Sequence, residues 1–122
     1  MLTAPPTLTD VSPAFMLGRE GSGVEMRCDA TGLPPPTVTW LKDGNQLGVA
    51  ESPRVTTAHE GRRLVVSHLM RADAGVYTCL FKNTVAQASH SIRLVVEGNF
   101  VIIIIYFIYF MPSVVKIPRA KT

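Results

Sequence analysis

Few residues of this 122-residue chain have the types and spacing that catalysis or metal binding requires. Ser67 and His68 are adjacent and Asp73 follows shortly after, so the three residue types of a hydrolase triad lie close together in the sequence. Ser67, however, is not part of a Gly-x-Ser-x-Gly elbow. His59 and His90 are far from His68 and from each other, without the spacing of zinc ligands. We therefore predict no enzyme activity, no metal site, no cofactor and no small-molecule substrate.

Cys28 and Cys79 are the two cysteines of the chain, and their chemistry could be structural or redox-active. They do not form a Cys-x-x-Cys motif, and they do not combine with histidines into a metal-binding pattern. Two cysteines permit one internal bridge. A structural disulfide in an oxidising compartment and a pair of buried thiols in a reducing one are both compatible with this composition.

The net charge of +3 does not describe the main body of the chain. Three of the twelve Lys and Arg residues, Lys116, Arg119 and Lys121, lie close to the C-terminus. The remaining nine are balanced by the nine Asp and Glu residues, all of which come before residue 98. Because a nucleic-acid-binding surface needs clustered positive charge, we predict that this chain does not bind nucleic acid.

Turn-forming residues recur at short intervals, and the segments between them alternate apolar with polar side chains. A period of two is typical of strands that have one face in a core and the other in water. Short strands separated by closely spaced turns predict an all-β sandwich or barrel. The predicted inward-facing side chains of five strands are Val24, Met26 and Cys28; Val38 and Trp40; Leu64 and Val66; Tyr77, Cys79 and Phe81; and Ile92, Leu94 and Val96.

Four residues stand in an order that narrows this fold class. The order Cys28, Trp40, Cys79 is typical of an immunoglobulin sandwich, in which the two cysteines lie on strands of opposite sheets. Tyr77 precedes the second cysteine by two residues, which is the position of a tyrosine corner. This order favours a sandwich over a barrel.

Three longer motifs identify the type of sandwich. GLPPPTVTWLKDG (32–44) follows the pattern G-x-P-x-P-x-x-x-W-x-K-D-G, and LVVSHLMRADAGVYTC (64–79) contains the signature D-x-G-x-Y-x-C. SIRLVV (91–96) resembles the closing strand. On these motifs, residues 5–97 resemble an immunoglobulin domain of the I-set type. The resemblance implies an all-β Greek-key sandwich of two antiparallel sheets, followed by an apolar C-terminal tail outside the domain.

The resemblance also implies structural roles for particular residues. It implies a disulfide between Cys28 and Cys79 across the core, with the indole of Trp40 packed against it. It implies a buried salt bridge between Arg54 and Asp73. The further structural residues that it implies are Tyr77, Leu64, Leu69 and Gly75.

One segment departs from the family pattern. The F–G hairpin of the family usually contains a glycine after the Lys-Asn pair, whereas here Lys82 and Asn83 are followed by Thr84, Val85 and Ala86. This departure leaves the geometry of that turn open without weakening the prediction of the fold.

The resemblance divides the chain into three parts. Residues 1–6 resemble the end of a preceding module with its linker, residues 7–97 form the I-set domain, and residues 98–122 are an apolar and basic tail. Such modules occur in tandem arrays of the hemicentin type, in adhesion receptors, and in muscle proteins of the titin and obscurin type. We predict a non-catalytic protein-binding or adhesion module of an extracellular adhesion or matrix protein, with other proteins and neighbouring Ig modules as partners. The alternative is an intracellular scaffold module of a muscle-type array.

The tail begins with FVIIIIYFIYFM (100–111), which contains no charged side chain. As a helix, this segment is about 18 Å long, whereas a bilayer's hydrocarbon core is about 30 Å thick. Extension to residue 117 gives about 27 Å but includes Pro112 and Lys116. We predict either a short membrane-spanning segment over 100–117, which would hold the domain at the cell surface, or an abnormal end of the coding transcript with no evolved function.

Overall fold

The computed structural model of the protein describes residues 2–48, 53–98, 105 and 107–109. Within them lie nine β-strands and a short 3₁₀ turn at Arg71–Asp73. The strands are β1 (Ala4–Val11), β2 (Phe15–Arg19), β3 (Val24–Leu33), β4 (Thr37–Lys42), β5 (Asn45–Gln46), β6 (Val55–Ala58), β7 (Arg63–Val66), β8 (Gly75–Lys82) and β9 (Gln87–Glu97). All five strands predicted from the alternating pattern are present.

The strands form two sheets that pack face to face. One sheet has the order β1-β3-β7-β6 and the other the order β2-β9-β8-β4-β5, so the chain crosses repeatedly between them. This arrangement confirms the predicted all-β immunoglobulin-like sandwich.

One pairing differs from the predicted antiparallel sheets. β2 runs parallel to β9, whereas the other ladders of the described residues are antiparallel. The physical reason is the short connection 12–14, which moves the chain from the edge of one sheet to the edge of the other without a hairpin that would reverse it.

The core lies between the two sheets. The inward-facing side chains predicted from the alternation are either buried or packed against the buried cluster. Ala30 and Val55 also belong to this cluster, although the alternating pattern did not mark them. The buried members are Met26, Cys28, Ala30, Trp40, Val55, Leu64, Val66, Leu69, Tyr77, Cys79, Phe81, Ile92 and Leu94.

The first strand begins inside the segment predicted to be a linker. Residues 4–6 already belong to β1, and the side chain of Pro6 is buried. Two prolines fit here because β1 is an edge strand, where a missing N–H need not remove a ladder hydrogen bond. The register of β1 against β3 shifts between Ala4 and Thr7, which accommodates the two prolines.

Most of the predicted tail, including most of the possible membrane segment 100–117, lies outside the described residues. The exceptions are Ile105 and residues 107–109, which are helical and have exposed side chains. The described part of the chain contains no helix that combines the length and the apolar character needed to cross a membrane.

Candidate protein-binding surface

A disulfide fixes the two sheets to each other at the centre of the domain. Cys28 on β3 and Cys79 on β8 are joined with an S–S distance of 2.10 Å, and both are fully buried. Trp40 on β4 stands directly opposite Cys79 in the sheet, and its indole Nε1 donates a hydrogen bond to the carbonyl oxygen of Gly61 at 2.8 Å. The indole is therefore buried with its polar atom satisfied, as close packing requires.

Tyr77 and Asp73 form the corner between the 3₁₀ turn and β8. The hydroxyl of Tyr77 donates to the carbonyl oxygen of Asp73 at 2.5 Å, which is the backbone contact of a tyrosine corner. Burial raises the pKa of Tyr77 to about 12. The phenol therefore stays neutral and remains a donor throughout the physiological pH range.

Arg54 and Asp73 form a bidentate ion pair below this corner. Arg54 Nη1 lies 2.8 Å from Asp73 Oδ2, and Arg54 Nη2 lies 3.1 Å from Asp73 Oδ1. The backbone N–H of Met70 donates to the same carboxylate at 2.7 Å. The hydrogen bond from Arg54 is the main cause that lowers the pKa of Asp73, although desolvation acts in the opposite direction.

Ser67, His68 and Asp73, which resemble a catalytic triad in the sequence, do not form one in the structure. The Ser67 hydroxyl donates to the backbone carbonyl oxygen of Arg54 at 3.2 Å, and His68 is exposed, while the Asp73 carboxylate binds Arg54. Within the described part of the chain, no three His, Cys, Asp or Glu side chains are arranged so that they could hold a metal ion.

The remaining predicted structural residues are found near the same corner and in the core. Leu64 and Leu69 are buried. Gly75 has φ +151°, and a Cβ added there would lie 2.8 Å from both carboxylate oxygens of Asp43. Asp43 Oδ1 accepts a hydrogen bond from the Val76 N–H at 3.0 Å, so the β4–β5 turn is tied to β8. The prediction did not assign this role to Asp43, although the Asp-Gly pair that begins with it does signal a hairpin turn.

Asn83 organises the turn between β8 and β9. Its Oδ1 accepts hydrogen bonds from the backbone N–H groups of Val85 at 2.9 Å and Ala86 at 3.1 Å. The backbone N–H of Asn83 donates to the carbonyl oxygen of Ala86 at 3.1 Å. Asparagine side chains can close turns by imitating backbone groups. The asparagine therefore makes the glycine of the family pattern unnecessary at this turn.

The amide nitrogen of Asn83 connects the turn to two other segments. Nδ2 donates to the carbonyl oxygen of Ala4 at 2.8 Å and to that of Pro34 at 3.1 Å. We call the region formed by Ala4, Leu33, Pro34 and residues 83–86 the Asn83 end. The side chains of Leu33 and Val85 are exposed there. Because the hydrogen bonds hold three segments together, these apolar side chains are presented on an ordered surface.

Replacing Asn83 with alanine should lower the free energy of unfolding by about 2 kcal/mol, because its side chain bonds four backbone groups. Asn83→Asp is the matched variant for the turn alone, since it keeps the Oδ1 acceptor but places a second acceptor oxygen against the carbonyl oxygens of Ala4 and Pro34. It should also be destabilised, but its turn should remain closed. Urea denaturation measures both. Hydrogen exchange at Val85 and Ala86 should accelerate in the alanine variant alone; unchanged exchange and stability would contradict this role.

The outer face of the four-stranded sheet is polar and charge-balanced. Arg27 on β3 and Arg63 on β7 stand directly opposite each other, an unfavourable placement for two like charges. Each has its own carboxylate: Arg27 Nε lies 2.9 Å from Asp10 Oδ2, and Arg63 Nη1 lies 3.4 Å from Asp29 Oδ1. The exposed large apolar side chains of the described strands lie elsewhere, at the Asn83 end and on β2.

A shallow cavity lies beside Trp40, with a volume of about 200 Å³. Sites for small molecules usually measure about 300–1,000 Å³ and contain converging polar groups. The cavity is smaller than this range, and its polar lining comes from Thr39, Thr57 and Gln46. It therefore does not suggest a small-molecule ligand.

The disulfide between the sheets, the tryptophan beside it and the tyrosine corner define an immunoglobulin-like domain. The family profile described as the immunoglobulin I-set domain matches residues 9–96. The chain therefore belongs to the immunoglobulin I-set family, which confirms the identification made from its motifs. Domains of this family are non-catalytic binding modules, so the chain is a protein-binding module and not an enzyme.

The chain is similar to single segments of much longer proteins. It is 37% identical over 97 residues to protein turtle homolog B of Mus musculus, covering 80% of this chain and 7% of that protein. It is 39% identical over 87 residues to hemicentin-2 of Mus musculus, covering 71% of this chain and 2% of that protein. It is 35% identical over 89 residues to myopalladin of Mus musculus, covering 72% of this chain and 7% of that protein.

Solved structures of titin complexes contain the same fold. A chain of the complex between titin M10 and a mutant obscurin-like 1 Ig domain matches with a TM-score of 0.72 and 28% identity, over 80% of this chain and 98% of that one. The titin domains Z1Z2 in complex with telethonin match with a TM-score of 0.71 and 29% identity, over 80% of this chain and 49% of that one. Both structures hold titin domains bound to another protein.

Proposed function

We propose that this domain is an extracellular binding module of an adhesion or matrix protein. The observation that carries the proposal is the buried Cys28–Cys79 disulfide. Structural disulfides persist in oxidising compartments and are rare in the cytosol. The similarity to a segment of hemicentin-2 supports the same context.

The partners that we propose are other proteins, including neighbouring Ig modules. The exposed Leu33 and Val85 lie at the Asn83 end, where β1 enters the domain. A module that preceded β1 in a longer chain would join the domain at this end. Apolar side chains on an ordered surface are suited to a contact with such a module. We propose the domain extent 7–97 with β1 continuing upstream to Ala4, and the tail from residue 98 as a separate segment.

A second candidate function is an intracellular scaffold module of a muscle-type array. The similarity to myopalladin and to the two titin complexes favours this candidate. In this setting Cys28 and Cys79 would be buried thiols, because cytosolic reductants keep cysteines reduced. The two candidates therefore differ in the oxidation state of one pair of residues.

The oxidation state of the endogenous protein tests the proposal. The protein is denatured with iodoacetamide present and analysed by mass spectrometry, once before and once after reduction. An extracellular module should carry no alkyl group on Cys28 or Cys79 before reduction and should be alkylated at both after it. Alkylation of both cysteines without reduction would overturn the extracellular assignment and support the intracellular scaffold. The reduced sample shows that both cysteines can react.

A further inference from the structure

Strand β2 has a free edge whose backbone groups point away from the domain. β2 is the last strand of the five-stranded sheet, and among residues 2–48 and 53–98 no strand pairs with its other side. The carbonyl oxygen of Ala14 accepts a bond from Arg93, and the N–H of Glu20 donates to Glu97. Since alternate residues of a strand bond to opposite sides, the even-numbered positions face β9. The N–H and C=O groups of Phe15, Leu17 and Arg19 therefore point away from β9. The carbonyl oxygen of Arg19 already accepts a hydrogen bond from the Ser22 N–H at 3.0 Å, which leaves it one further lone pair as an acceptor.

The other edge strands carry features that discourage pairing with another chain. β1 contains Pro5 and Pro6 and has shifts in its register, β5 has two residues, and β6 is short with two threonines at its centre. Short strands, prolines and irregular register are the usual protection of sheet edges. β2 (Phe15–Arg19) has no proline and a continuous register over its five residues. Of the four edge strands, β2 is therefore the one most suited to pairing with a further strand.

The side chains of β2 are complementary to a second copy of the same strand. Phe15 is 55% exposed and Leu17 is 56% exposed, and with Arg19 they lie on the outer face of the sheet. In an antiparallel pair centred on Leu17, Leu17 stands opposite Leu17 of the second copy. Phe15 then stands opposite Arg19 of the second copy, and Arg19 opposite its Phe15. Each arginine meets an aromatic ring, which is a favourable cation–π pairing, and the two arginines are kept apart.

The backbone and the inner face agree with the same register. In an antiparallel pair, residues that point their backbone groups at each other form hydrogen-bonded pairs, and the outward-pointing odd-numbered positions meet in this way. On the inner face, Met16 stands opposite Gly18 of the second copy, so a large side chain meets a position without one. The contact is symmetric, because the same strand contributes both halves.

We propose that two copies of this chain associate through antiparallel pairing of β2 around Leu17, which joins their five-stranded sheets into one continuous sheet. The proposal does not depend on the cellular location of the domain. The hydrogen-bonded backbone supplies affinity, and the Phe15–Arg19 and Leu17–Leu17 pairs supply the register.

Single cysteines on β2 test the proposal in the full-length chain. Leu17→Cys should form a disulfide-linked dimer under mild oxidation, because opposed residues in a hydrogen-bonded pair have Cα atoms about 5.5 Å apart, within disulfide range. Phe15→Cys is the matched control on the same face. Its two copies would be roughly 14 Å apart in this register, so its dimer yield should be at least about tenfold lower. Mixing Phe15→Cys with Arg19→Cys chains should restore cross-linking. The native cysteines do not interfere, because both are buried in their own disulfide.

Non-reducing gel electrophoresis reads the result, with circular dichroism to show that each variant is folded. Absence of a Leu17→Cys dimer would overturn the proposal and point to a different protein as the occupant of the edge. Equal yields from Leu17→Cys and Phe15→Cys would also overturn it, because association through the apolar tail has no preferred β2 register.

As a second measurement, Leu17→Asp should weaken dimerisation in sedimentation velocity by at least about tenfold. Ser91→Asp, on the neighbouring strand β9, should have a much smaller effect.

Discussion

Replacing Cys28 and Cys79 together with alanine should lower the free energy of unfolding by about 4 kcal/mol. The disulfide joins residues separated by 51 positions, and in the chain-entropy model a loop of this size restricts the unfolded chain by that amount. Domains of this size have a total stability of roughly 5–15 kcal/mol. The double variant should therefore be marginally stable at 37 °C, although its strands and core residues are otherwise unchanged.

Urea denaturation of the oxidised protein, the reduced protein and the double variant measures this contribution. The reduced wild-type protein is the matched control, because it lacks the cross-link but keeps both sulfur atoms in the core. It should be slightly more stable than the alanine variant, which also loses buried side-chain volume. If reduction changes the unfolding free energy by less than about 1 kcal/mol, the assumed restriction of the unfolded chain is wrong.

The central strands of the sandwich were predictable because each has one face in the core. β3, β8 and the end of β9 alternate buried positions with half-buried or exposed ones, and the sequence displays this as apolar residues recurring at every second position. β1 and β2 do not show this pattern as clearly. β1 buries only Pro6 and has shifts in its register, and β2 exposes two large apolar side chains. The edge strands and the parallel β2–β9 pairing follow from tertiary contacts that local periodicity does not encode.

The resemblance to the family supplied the residues of the disulfide and of the Arg54–Asp73 pair, and the structure brings both pairs together. The Asn83 end was not predicted. Its turn lacks the glycine of the family pattern, and the role of Asn83 depends on two backbone carbonyl groups that are distant in sequence. An asparagine in a turn is itself a common signal. The asparagine therefore predicts the local turn. Its contacts to Ala4 and Pro34 cannot be predicted without knowing the fold, because those residues are distant in sequence.

Replacing Asp73 with asparagine should lower the free energy of unfolding by about 3 kcal/mol at neutral pH. The carboxylate is buried and accepts hydrogen bonds from Arg54 and from the Met70 backbone. Changing Asp73 leaves the part-buried guanidinium of Arg54, whose side chain is 28% exposed, without its counter-ion, and this loss is costly. Asp10→Asn is the matched control, since Asp10 also bonds an arginine but in an exposed pair. Its effect should be close to the error of the measurement.

The pH dependence of the Asp73→Asn effect separates the ion pair from packing. Because the hydrogen bond from Arg54 lowers the pKa of Asp73 in the folded state, the unfolded state binds the proton more tightly. The stabilisation is therefore fully present above the unfolded pKa of about 3.9 and is lost as the pH falls through the lower folded pKa. The difference in unfolding free energy between wild type and Asp73→Asn should stay constant from about pH 5 to 8 and shrink below about pH 4. A difference that stays constant into acid would mean that the variant is destabilised by packing, and the ion pair would then contribute little.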